Sequence, residues 1–322
     1  MAAERAAGDE LLVVDTTGRL EYPQEALAHV RHLPLRIEAR RASTPQQLIE
    51  CCADADAILI TGAAVSREVL RALPNLRAIV RYGVGLDNVD LEAAEELGVE
   101  VRNVQGYCTE EVADHALGLL LGLVRRICHF AQRTRAGSWG AGRDVQIPRL
   151  RGRRAGIIGL GAIGSALATR LQALGMQVVA CDPYLPPGTA RELGVELVKL
   201  NELLASCDVV SINCPLSDET RHLIGGGELS VMKRSAILIN TARGAIIDEQ
   251  ALIEALEAGE IAAAGLDVLE PEPPEEGNPL PSMASVIVTP HVAWQSEQSK
   301  HDIVVGAFRQ LADVLETPRE RP

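Results

Sequence analysis

Three side chains in the second half of the chain have the types that acid–base chemistry at the carbonyl of a 2-oxo acid requires. They are Arg243, Glu272 and His291. An arginine holds a carboxylate through two parallel hydrogen bonds and polarises the neighbouring carbonyl. A histidine supplies a proton near neutral pH, and a carboxylate behind it raises its basicity and fixes its tautomer. Each residue alone is more often a surface ion pair, a solvated loop carboxylate or a packing histidine, so the prediction depends on their occurring together.

The segments before these residues are short and apolar, which is typical of buried strands. The predicted strands of the second half are Ala155–Gly159, Gln177–Cys181, Val209–Asn213, Ala236–Asn240, Ala263–Asp267 and Val286–Thr289. In the first half, the strands Leu11–Asp15, Ala57–Ile60 and Arg77–Val80 alternate with the helices Pro23–Val30, Pro45–Ala53 and Ser66–Leu73. This alternation predicts an α/β fold with doubly wound parallel sheets. Ligands of such sheets bind beyond the carboxyl ends of the strands, so the three side chains are expected to converge on one cleft.

A longer helix is predicted over Thr109–Phe130, where apolar residues recur at helical spacing. Thr109, followed by two glutamates, suits its start, and Arg125 and Arg126 suit its end. Its apolar surface exceeds what one domain face needs, which predicts a homodimer of two-fold symmetry built around it. A last helix is predicted over Glu297–Leu315.

A cofactor motif precedes the three candidate catalytic residues. Gly159, Gly161 and Gly164 form a GxGxxG turn between an apolar strand and a helix that ends near Leu174, and Asp182 follows 18 residues after the last glycine. Such a turn brings the backbone and a helix N-terminus against a pyrophosphate. Asp182 can accept hydrogen bonds from ribose hydroxyls and would repel a 2′-phosphate, which favours NAD over NADP. Motif and side chains together predict hydride transfer between NAD(H) and C2 of a small 2-oxo or 2-hydroxy acid.

Composition narrows the class of protein. The chain has 322 residues, of which 47% are apolar, and a formal charge of −13; this length predicts two domains. An acidic chain repels phosphate backbones and anionic lipids, so neither a nucleic-acid nor a membrane partner is expected. The number of cysteines is odd. The N-terminus lacks the apolar core of a signal peptide. The longest apolar run, Ala116–Val124, is too short to span a bilayer. A reduced, cytoplasmic protein without a metal site is expected.

Five stretches carry a resemblance to a known family. They are RYGVGLDNVD (81–90), GIIGLGAIG (156–164), NTARG (240–244), LDVLEPEP (266–273) and TPHVAW (289–294). With them, the chain resembles the D-isomer-specific 2-hydroxyacid dehydrogenases over nearly its whole length. The resemblance implies a flavodoxin-like substrate domain (1–104 with 297–322) and a Rossmann NAD-binding domain (105–296) inserted between its two parts. Composition and spacing alone would place a simple boundary near Arg151.

The resemblance also implies roles for individual residues. The implied catalytic residues are Arg243, Glu272 and His291. The residues implied to bind the substrate are Tyr82, Gly83, Val84 and Trp294. The residues implied to bind the cofactor are Thr109, Gly159, Gly161, Ala162, Ile163, Gly164, Asp182, Cys214, Pro215, Thr220, Thr241, Ala242 and Asp267.

Within the family, YCTEEVADH (107–115) and PHVAWQSEQ (290–298) resemble most the branch that contains the C-terminal binding proteins and their bacterial relatives. That branch includes corepressors, so an NAD-sensing interaction protein is the alternative to an enzyme. The intact Arg-Glu-His set favours the enzyme. Phosphite dehydrogenase shares that set and stays open as a further alternative, whereas Glu272 weighs against formate dehydrogenase. The chain departs from the family at Gln105, where proline is usual.

Overall fold

The computed structural model describes residues 10–140, 147–186 and 188–316. The chain divides into two compact units. Unit 1 comprises Met1–Tyr107 and Ser296–Pro322, and unit 2 comprises Cys108–Gln295. The two ends of the chain therefore belong to one unit, and the continuous segment between them forms the other.

Unit 1 is built on a five-stranded parallel sheet with the order β2-β1-β3-β4-β5. Its strands are β1 (Leu11–Asp15), β2 (Leu35–Ala39), β3 (Ala57–Ile60), β4 (Ala78–Arg81) and β5 (Glu100–Asn103). Its helices are α1 (Gln24–Val30), α2 (Pro45–Cys52), α3 (Arg67–Ala72), α4 (Leu91–Glu96) and α12 (Glu297–Glu316). This order is the flavodoxin-like arrangement, in which the direction of winding reverses between β1 and β3.

Helices cover both faces of this sheet, because its central strands carry apolar residues on both sides. On one face, α2, α3 and α4 pack around a cluster that includes Leu48 and Ile58. On the other face, α1 and α12 pack around Leu59 and Phe308. The ring of Phe308 is fully buried and its centroid lies 4.9 Å from that of Tyr22. The last helix of the chain is therefore part of the core of unit 1.

Unit 2 is built on a seven-stranded parallel sheet with the order β12-β11-β10-β9-β6-β7-β8. Its strands are β6 (Arg154–Ile158), β7 (Gln177–Cys181), β8 (Glu196–Leu197), β9 (Val209–Ile212), β10 (Ile237–Asn240), β11 (Ala263–Leu266) and β12 (Val286–Val288). Its helices are α5 (Thr109–Val124), α6 (Ile127–Arg135), α7 (Ala162–Ala173), α8 (Thr189–Glu192), α9 (Leu200–Ser206), α10 (Gly226–Val231) and α11 (Glu249–Glu257). The winding reverses between β6 and β9, as in the Rossmann fold. The predicted fold class of two doubly wound parallel sheets is confirmed.

The nine predicted strands agree with the structure to within one residue at each end. Sequence patterning does not reveal β2, β5 and β8, and all three lie at sheet edges. Their residues are exposed or half-buried, and charged side chains such as Glu38 and Arg102 interrupt the apolar pattern. Edge strands tolerate such residues because one side of the backbone and part of each face meet water.

The single helix predicted over Thr109–Phe130 is wrong. The helix α5 ends at Val124, Arg126 adopts a left-handed φ of 54°, and α6 begins at Ile127. A left-handed residue interrupts the hydrogen-bond ladder and turns the chain. Ile127 continues the apolar spacing of α5, yet it is 55% exposed, so the pattern extended the prediction too far. No helix in the described ranges has both the length and the apolar character needed to cross a membrane.

Candidate active site

The candidate acid–base pair lies in unit 2. His291 Nδ1 is 2.7 Å from Glu272 Oε2, and Glu272 Oε1 accepts a hydrogen bond from the Leu269 N–H at 3.2 Å. The side chains of His291 and Glu272 are 40% and 37% exposed. Because Nδ1 is committed to the carboxylate, Nε2 is the ring nitrogen left to face a reacting oxygen.

Glu272 keeps its negative charge at a lower pH than an ordinary glutamate. Burial raises the pKa of its carboxyl, but the hydrogen bond and charge of His291, the Leu269 N–H and the charge of Arg243 together outweigh that effect. The pKa of Glu272 therefore lies below its usual range. An ionised carboxylate at this distance stabilises a protonated imidazole and fixes the plane of its ring.

The turn that carries His291 is anchored on Asp267, at the end of β11. His291 has a φ of 53°, in the left-handed region that residues other than glycine seldom occupy. Its N–H donates to the Asp267 carbonyl at 2.8 Å, and the N–H groups of Val292 and Ala293 donate to the Asp267 carboxylate at 3.0 and 2.8 Å. Asp267 is 1% exposed. The structure thus gives this side chain a task in holding the turn, beside the cofactor contact that the resemblance implies.

Arg243 is positioned by the buried side chain of Asn240, the last residue of β10. The Asn240 amide donates to the Arg243 carbonyl at 2.8 Å and accepts from the Ala242 N–H at 3.0 Å. The next residue, Gly244, lies against the backbone of the loop that leads to Glu272, since a Cβ on it would stand 2.1 Å from Leu269 C. The segments that carry Arg243 and Glu272 are therefore packed backbone to backbone, which requires glycine at position 244.

The glycine turn has the geometry of a dinucleotide site. Gly159 has a φ of 88°, and a Cβ on it would lie 2.6 Å from the Cys214 nitrogen, next to the end of β9. A Cβ on Gly164 would lie 2.2 Å from the Gly159 carbonyl oxygen. A Cβ on Gly161 would meet no described atom within 4 Å. The turn is therefore closed against the protein at two glycines and open at the third, where a ligand can approach the backbone.

The N-terminus of α7 follows this open glycine. The helix begins at Ala162, and no described side chain caps it. Its first N–H groups, including those of Ala162 and Ile163, are left for an anion, and the helix dipole favours negative charge at the same end.

Asp182 stands just beyond the end of β7, beside the glycine turn. Its Oδ2 accepts from the Leu160 N–H at 2.8 Å, and its Oδ1 accepts from the Tyr184 N–H at 3.0 Å. The side chain remains partly exposed. These two bonds fix the carboxylate while leaving lone pairs for the ribose hydroxyls of a dinucleotide.

Two buried polar atoms beyond neighbouring strand ends have no hydrogen-bond partner among the described residues. They are Thr241 Oγ1, which follows β10, and Asn213 Oδ1, which follows β9. Buried polar atoms in folded proteins are nearly always hydrogen-bonded, so these two indicate a polar ligand at this edge of the sheet. Together with the open glycine, the uncapped helix and Asp182, they fit NAD.

Three further predicted cofactor residues, Cys214, Pro215 and Thr220, lie in the loop that follows β9. Thr220 Oγ1 accepts from the Ser217 N–H at 2.8 Å and donates to the Pro215 carbonyl at 2.7 Å, which shapes the loop after β9. Burial raises the pKa of Cys214 in that loop to about 11, so its thiol is neutral at physiological pH. Thr109 begins α5 and is half-buried, as is Trp294, which follows the His291 turn.

The predicted anion-binding turn, Tyr82–Val84, lies in unit 1 at the end of β4. The Tyr82 hydroxyl donates to Asp15 Oδ2 at 2.9 Å, and its side chain is buried. The pKa of Tyr82 lies far above its usual value. Burial is the largest cause, and the charge of Asp15 is the second. Gly83 has a φ of 147° with the Arg81 guanidinium against it, and Val84 is 41% exposed. The Tyr82 N–H donates to the Ile60 carbonyl at 2.8 Å. The turn can therefore offer an anion the N–H groups of Gly83 and Val84, but neither the side chain nor the N–H of Tyr82.

Sequence reasoning did not assign roles to three residues that the structure places in the site. Asn240 holds Arg243, and Thr289 and His115 form a hydrogen-bonded chain to Asp267. Asn240 and Thr289 lie inside the five stretches that carry the family resemblance, and His115 ends the stretch YCTEEVADH (107–115) that resembles one branch of the family. Nothing in their local pattern shows which distant groups they contact.

The NAD-binding domain of the D-isomer specific 2-hydroxyacid dehydrogenases is the family model that this chain matches, over residues 117–293. The chain belongs to that family. The matched residues lie within unit 2 and contain the glycine turn, Arg243, Glu272 and His291. The family description agrees with the fit of the strand ends to NAD, which is the cofactor of this domain.

Relatives in this family act on several substrates. The chain is 39% identical to a glycerate dehydrogenase of Methylorubrum extorquens, over 84% of each chain. It is 40% identical to a D-3-phosphoglycerate dehydrogenase of Archaeoglobus fulgidus over 87% of this chain, but it spans only 53% of that relative's length. Among solved structures, a D-lactate dehydrogenase of Aquifex aeolicus complexed with NAD and lactic acid superposes with a TM-score of 0.83 at 27% identity, over 95% of each chain.

Proposed function

We propose that this chain is an NAD-dependent dehydrogenase that interconverts a small 2-oxo acid and the D-isomer of its 2-hydroxy acid. The observation that carries the proposal is the 2.7 Å contact between His291 and Glu272 in the same unit as a dinucleotide-binding turn. Relatives named glycerate dehydrogenase and glyoxylate reductase support the substrate class.

The proposed residues divide the work of reduction. NADH, when bound, supplies the hydride that adds to C2. His291 donates its Nε2 proton to the carbonyl oxygen, which becomes the hydroxyl, and Glu272 holds the ring through Nδ1. Arg243 holds the carboxylate and polarises the carbonyl through its parallel N–H groups. Within the Tyr82–Val84 turn, the N–H groups of Gly83 and Val84 are proposed as an anion site, and Trp294 is proposed as a substrate contact.

Steady-state kinetics with NADH tests this function. The substrates would be glyoxylate, pyruvate and three-carbon 2-oxo acids that carry a hydroxyl or a phosphate. Loss of one general acid typically costs ~10²–10⁴-fold in rate, so His291→Ala should lower kcat by that amount and still bind NADH. Turnover of the best substrate within twofold of the unmodified protein would show that His291 is not the acid. NADH binding without turnover of any substrate by the unmodified protein would favour an NAD-sensing interaction protein.

We propose further that NAD is preferred to NADP, because Asp182 would face the position of a 2′-phosphate. Its carboxylate is fixed by two backbone N–H groups and cannot easily turn away. NADH should give a much higher kcat/KM than NADPH, and Asp182→Ala should narrow the difference by raising KM for NADH and lowering it for NADPH. Equal kcat/KM values for the two cofactors in the unmodified protein would contradict the assignment.

We propose a homodimer in which a second copy packs on α5. This helix lines a groove of about 480 Å³, with Glu111, His115 and Gly118 on its wall. A Cβ on Gly118 would meet no described atom within 4 Å, so Gly118→Arg should leave the fold of one copy intact and block a partner. Light scattering at micromolar concentration should give twice the chain mass for the unmodified protein and a smaller mass for Gly118→Arg. A monomer mass for the unmodified protein would refute the dimer.

A cytoplasmic location is proposed from the state of the cysteines. The seven cysteines all lie in the described ranges and none of them forms a disulfide; Cys52 and Cys207 are fully buried. Free thiols persist in reducing compartments. Fractionation of cells that express the chain would test this.

A further inference from the structure

A chain of hydrogen bonds runs from the side of α5 to the turn that carries His291. His115 Nε2 lies 2.8 Å from Thr289 Oγ1 and 3.5 Å from Asp267 Oδ1, so the hydroxyl is its nearer partner. Thr289 Oγ1 donates to Asp267 Oδ1 at 2.6 Å. The same carboxylate holds the N–H groups of Val292 and Ala293. The chain thus reaches the backbone on the far side of His291 without touching the imidazole.

The direction of each hydrogen bond follows from the number of protons. A threonine hydroxyl has one proton, and Thr289 gives it to the Asp267 carboxylate. The hydroxyl can then only accept from His115, so Nε2 of that ring carries a proton. The carboxylate receives one hydroxyl and two backbone N–H groups, which locks it in one orientation.

This arrangement bears on catalysis because His291 is held in a backbone conformation that it would not keep unaided. Its φ of 53° lies in the left-handed region, where a residue other than glycine persists only when its surroundings fix it. Asp267 fixes it by accepting three hydrogen bonds. Its carbonyl accepts from the His291 N–H, and its carboxylate accepts from the N–H groups of Val292 and Ala293. Anything that turns this carboxylate would move the imidazole.

We propose that His115 is a positioning residue for His291, acting through Thr289 and the Asp267 carboxylate. The inference rests on the proposed function, in which His291 is the general acid. The side chain of His115 is 25% exposed, whereas that of Asp267 is fully buried. His115 is therefore the end of the chain that reaches the groove along α5, and the position of α5 affects the geometry of the acid.

Paired substitutions test the route. Thr289→Val removes the hydroxyl at nearly constant volume, and Thr289→Ser keeps it. His115→Ala removes the donor, and His115→Gln keeps an N–H near the position of Nε2. A misplacement of about 1 Å can cost ~10²-fold in rate. We therefore expect kcat to fall ~10-fold to ~100-fold in Thr289→Val and in His115→Ala. It should recover in Thr289→Ser and in His115→Gln. The fall in kcat should exceed any change in the Kd for NADH, because the glycine turn and Asp182 are not touched.

The double variant decides whether the two residues act in series. If His115 acts through Thr289, the variant His115→Ala/Thr289→Val should lose no more kcat than the worse of the two single variants. Losses that multiply would overturn the proposal. Cys128→Ala, in the wall of the same groove but outside the chain of hydrogen bonds, is the matched control and should keep the unmodified kcat.

Hydrogen exchange gives a readout that needs no activity. The peptide that spans residues 289–295 should exchange faster in Thr289→Val and His115→Ala than in the unmodified protein and in Cys128→Ala. Faster exchange with an unchanged kcat in an active enzyme would show that the hydrogen bonds from His115 to Asp267 have only a structural role. Unchanged exchange would show that these hydrogen bonds do not hold the His291 turn. If the unmodified protein turns over no substrate, the proposed function fails, and His115 then has no acid to position.

Discussion

Among single residues, the contact between His291 and Glu272 has the clearest chemical consequence. The Glu272 carboxylate has a lowered pKa, because the imidazole and nearby donors outweigh the effect of its partial desolvation. It therefore remains negative throughout the range in which a histidine titrates. Over that range the carboxylate can hold the ring of His291, the proposed general acid, through Nδ1.

Replacing Glu272 with glutamine keeps the shape of the side chain and removes its charge. A neutral amide supports the positive charge of a protonated imidazole less than a carboxylate does. We expect the pH profile of kcat for reduction to move to lower pH and kcat at pH 7 to fall by ~10-fold to ~10²-fold, no more than removal of the acid itself would cost. Stopped-flow or steady-state rates between pH 5 and pH 9 would show this.

The control for this prediction comes from the same loop. Glu276 is exposed. The substitution Glu276→Gln also removes one negative charge from the loop, but it leaves the contact between Glu272 and His291 in place. Its pH profile should coincide with that of the unmodified protein. A matching shift in both variants would mean that the general charge of the loop, and not the contact with His291, controls the profile.

At the level of elements, the site depends on a contact between two backbone segments. Gly244 follows Arg243, and a Cβ on it would overlap the carbonyl of Leu269, which begins the loop to Glu272. Glu249, the first residue of α11, holds that loop from the other side by accepting from the Glu270 N–H and the Asn278 amide. Arg243 and Glu272, two of the proposed catalytic residues, are 29 positions apart. One glycine and one glutamate thus keep their segments in register.

Gly244→Ala should damage both stability and catalysis. Overpacking of this kind costs about 1–3 kcal/mol, and relief of the overlap would separate Arg243 from Glu272. Tm should fall and kcat/KM should fall with it, as measured by calorimetry and by steady-state kinetics on the same samples. Gly227→Ala is the matched control, because a Cβ there meets no described atom within 4 Å and the residue lies in α10. That variant should be neutral or slightly stabilised; equal losses in both would refute the argument.

At the level of the whole molecule, an ionic network lies at the amino ends of the strands of the seven-stranded sheet, away from the candidate site at their carboxyl ends. Asp208, just before β9, accepts from the Arg154 N–H at 3.0 Å and lies 3.2 Å from both Arg153 Nη1 and Lys233 Nζ. Its side chain is 15% exposed. Burial raises the pKa of this carboxyl. The Arg154 N–H, Lys233 and Arg153 together lower it by more than burial raises it, so the pKa of Asp208 lies below its usual value.

The lowered pKa fixes the sign of a stability prediction. An acid whose pKa is lower in the folded state stabilises that state above its unfolded pKa, which is ~3.9 for aspartate, and the gain is lost as the pH falls through the folded value. Asp208→Asn should therefore reduce the free energy of unfolding by about 1–3 kcal/mol at pH 7. The deficit should shrink below about pH 4. Denaturant titrations at pH 7 and below pH 4 would check this prediction, and a deficit in the free energy of unfolding that does not depend on pH would contradict it. The kcat should not change, because the network lies at the amino ends of the strands.

The sequence by itself determined the features that leave a local signal. Buried central strands appear as apolar runs, and Gly159, Gly161 and Gly164 mark a turn because only glycine fits a positive φ or a backbone contact there. Arg243, Glu272 and His291 were predicted from their types and from their places after strands. The contact between His291 and Glu272 was expected on chemical grounds, and the structure contains it.

Only the tertiary structure decided the features that depend on distant partners. The edge strands β2, β5 and β8 form because a neighbouring strand offers hydrogen bonds, not because of their own pattern. The left-handed Arg126 ends α5 where the apolar spacing continues. His115 and Thr289 are 174 residues apart, yet they share the hydrogen bond that helps to orient the His291 turn. A hydrogen bond over such a separation leaves no periodicity or spacing in the sequence, because it is formed by the packing of α5 against the sheet and not by neighbours along the chain.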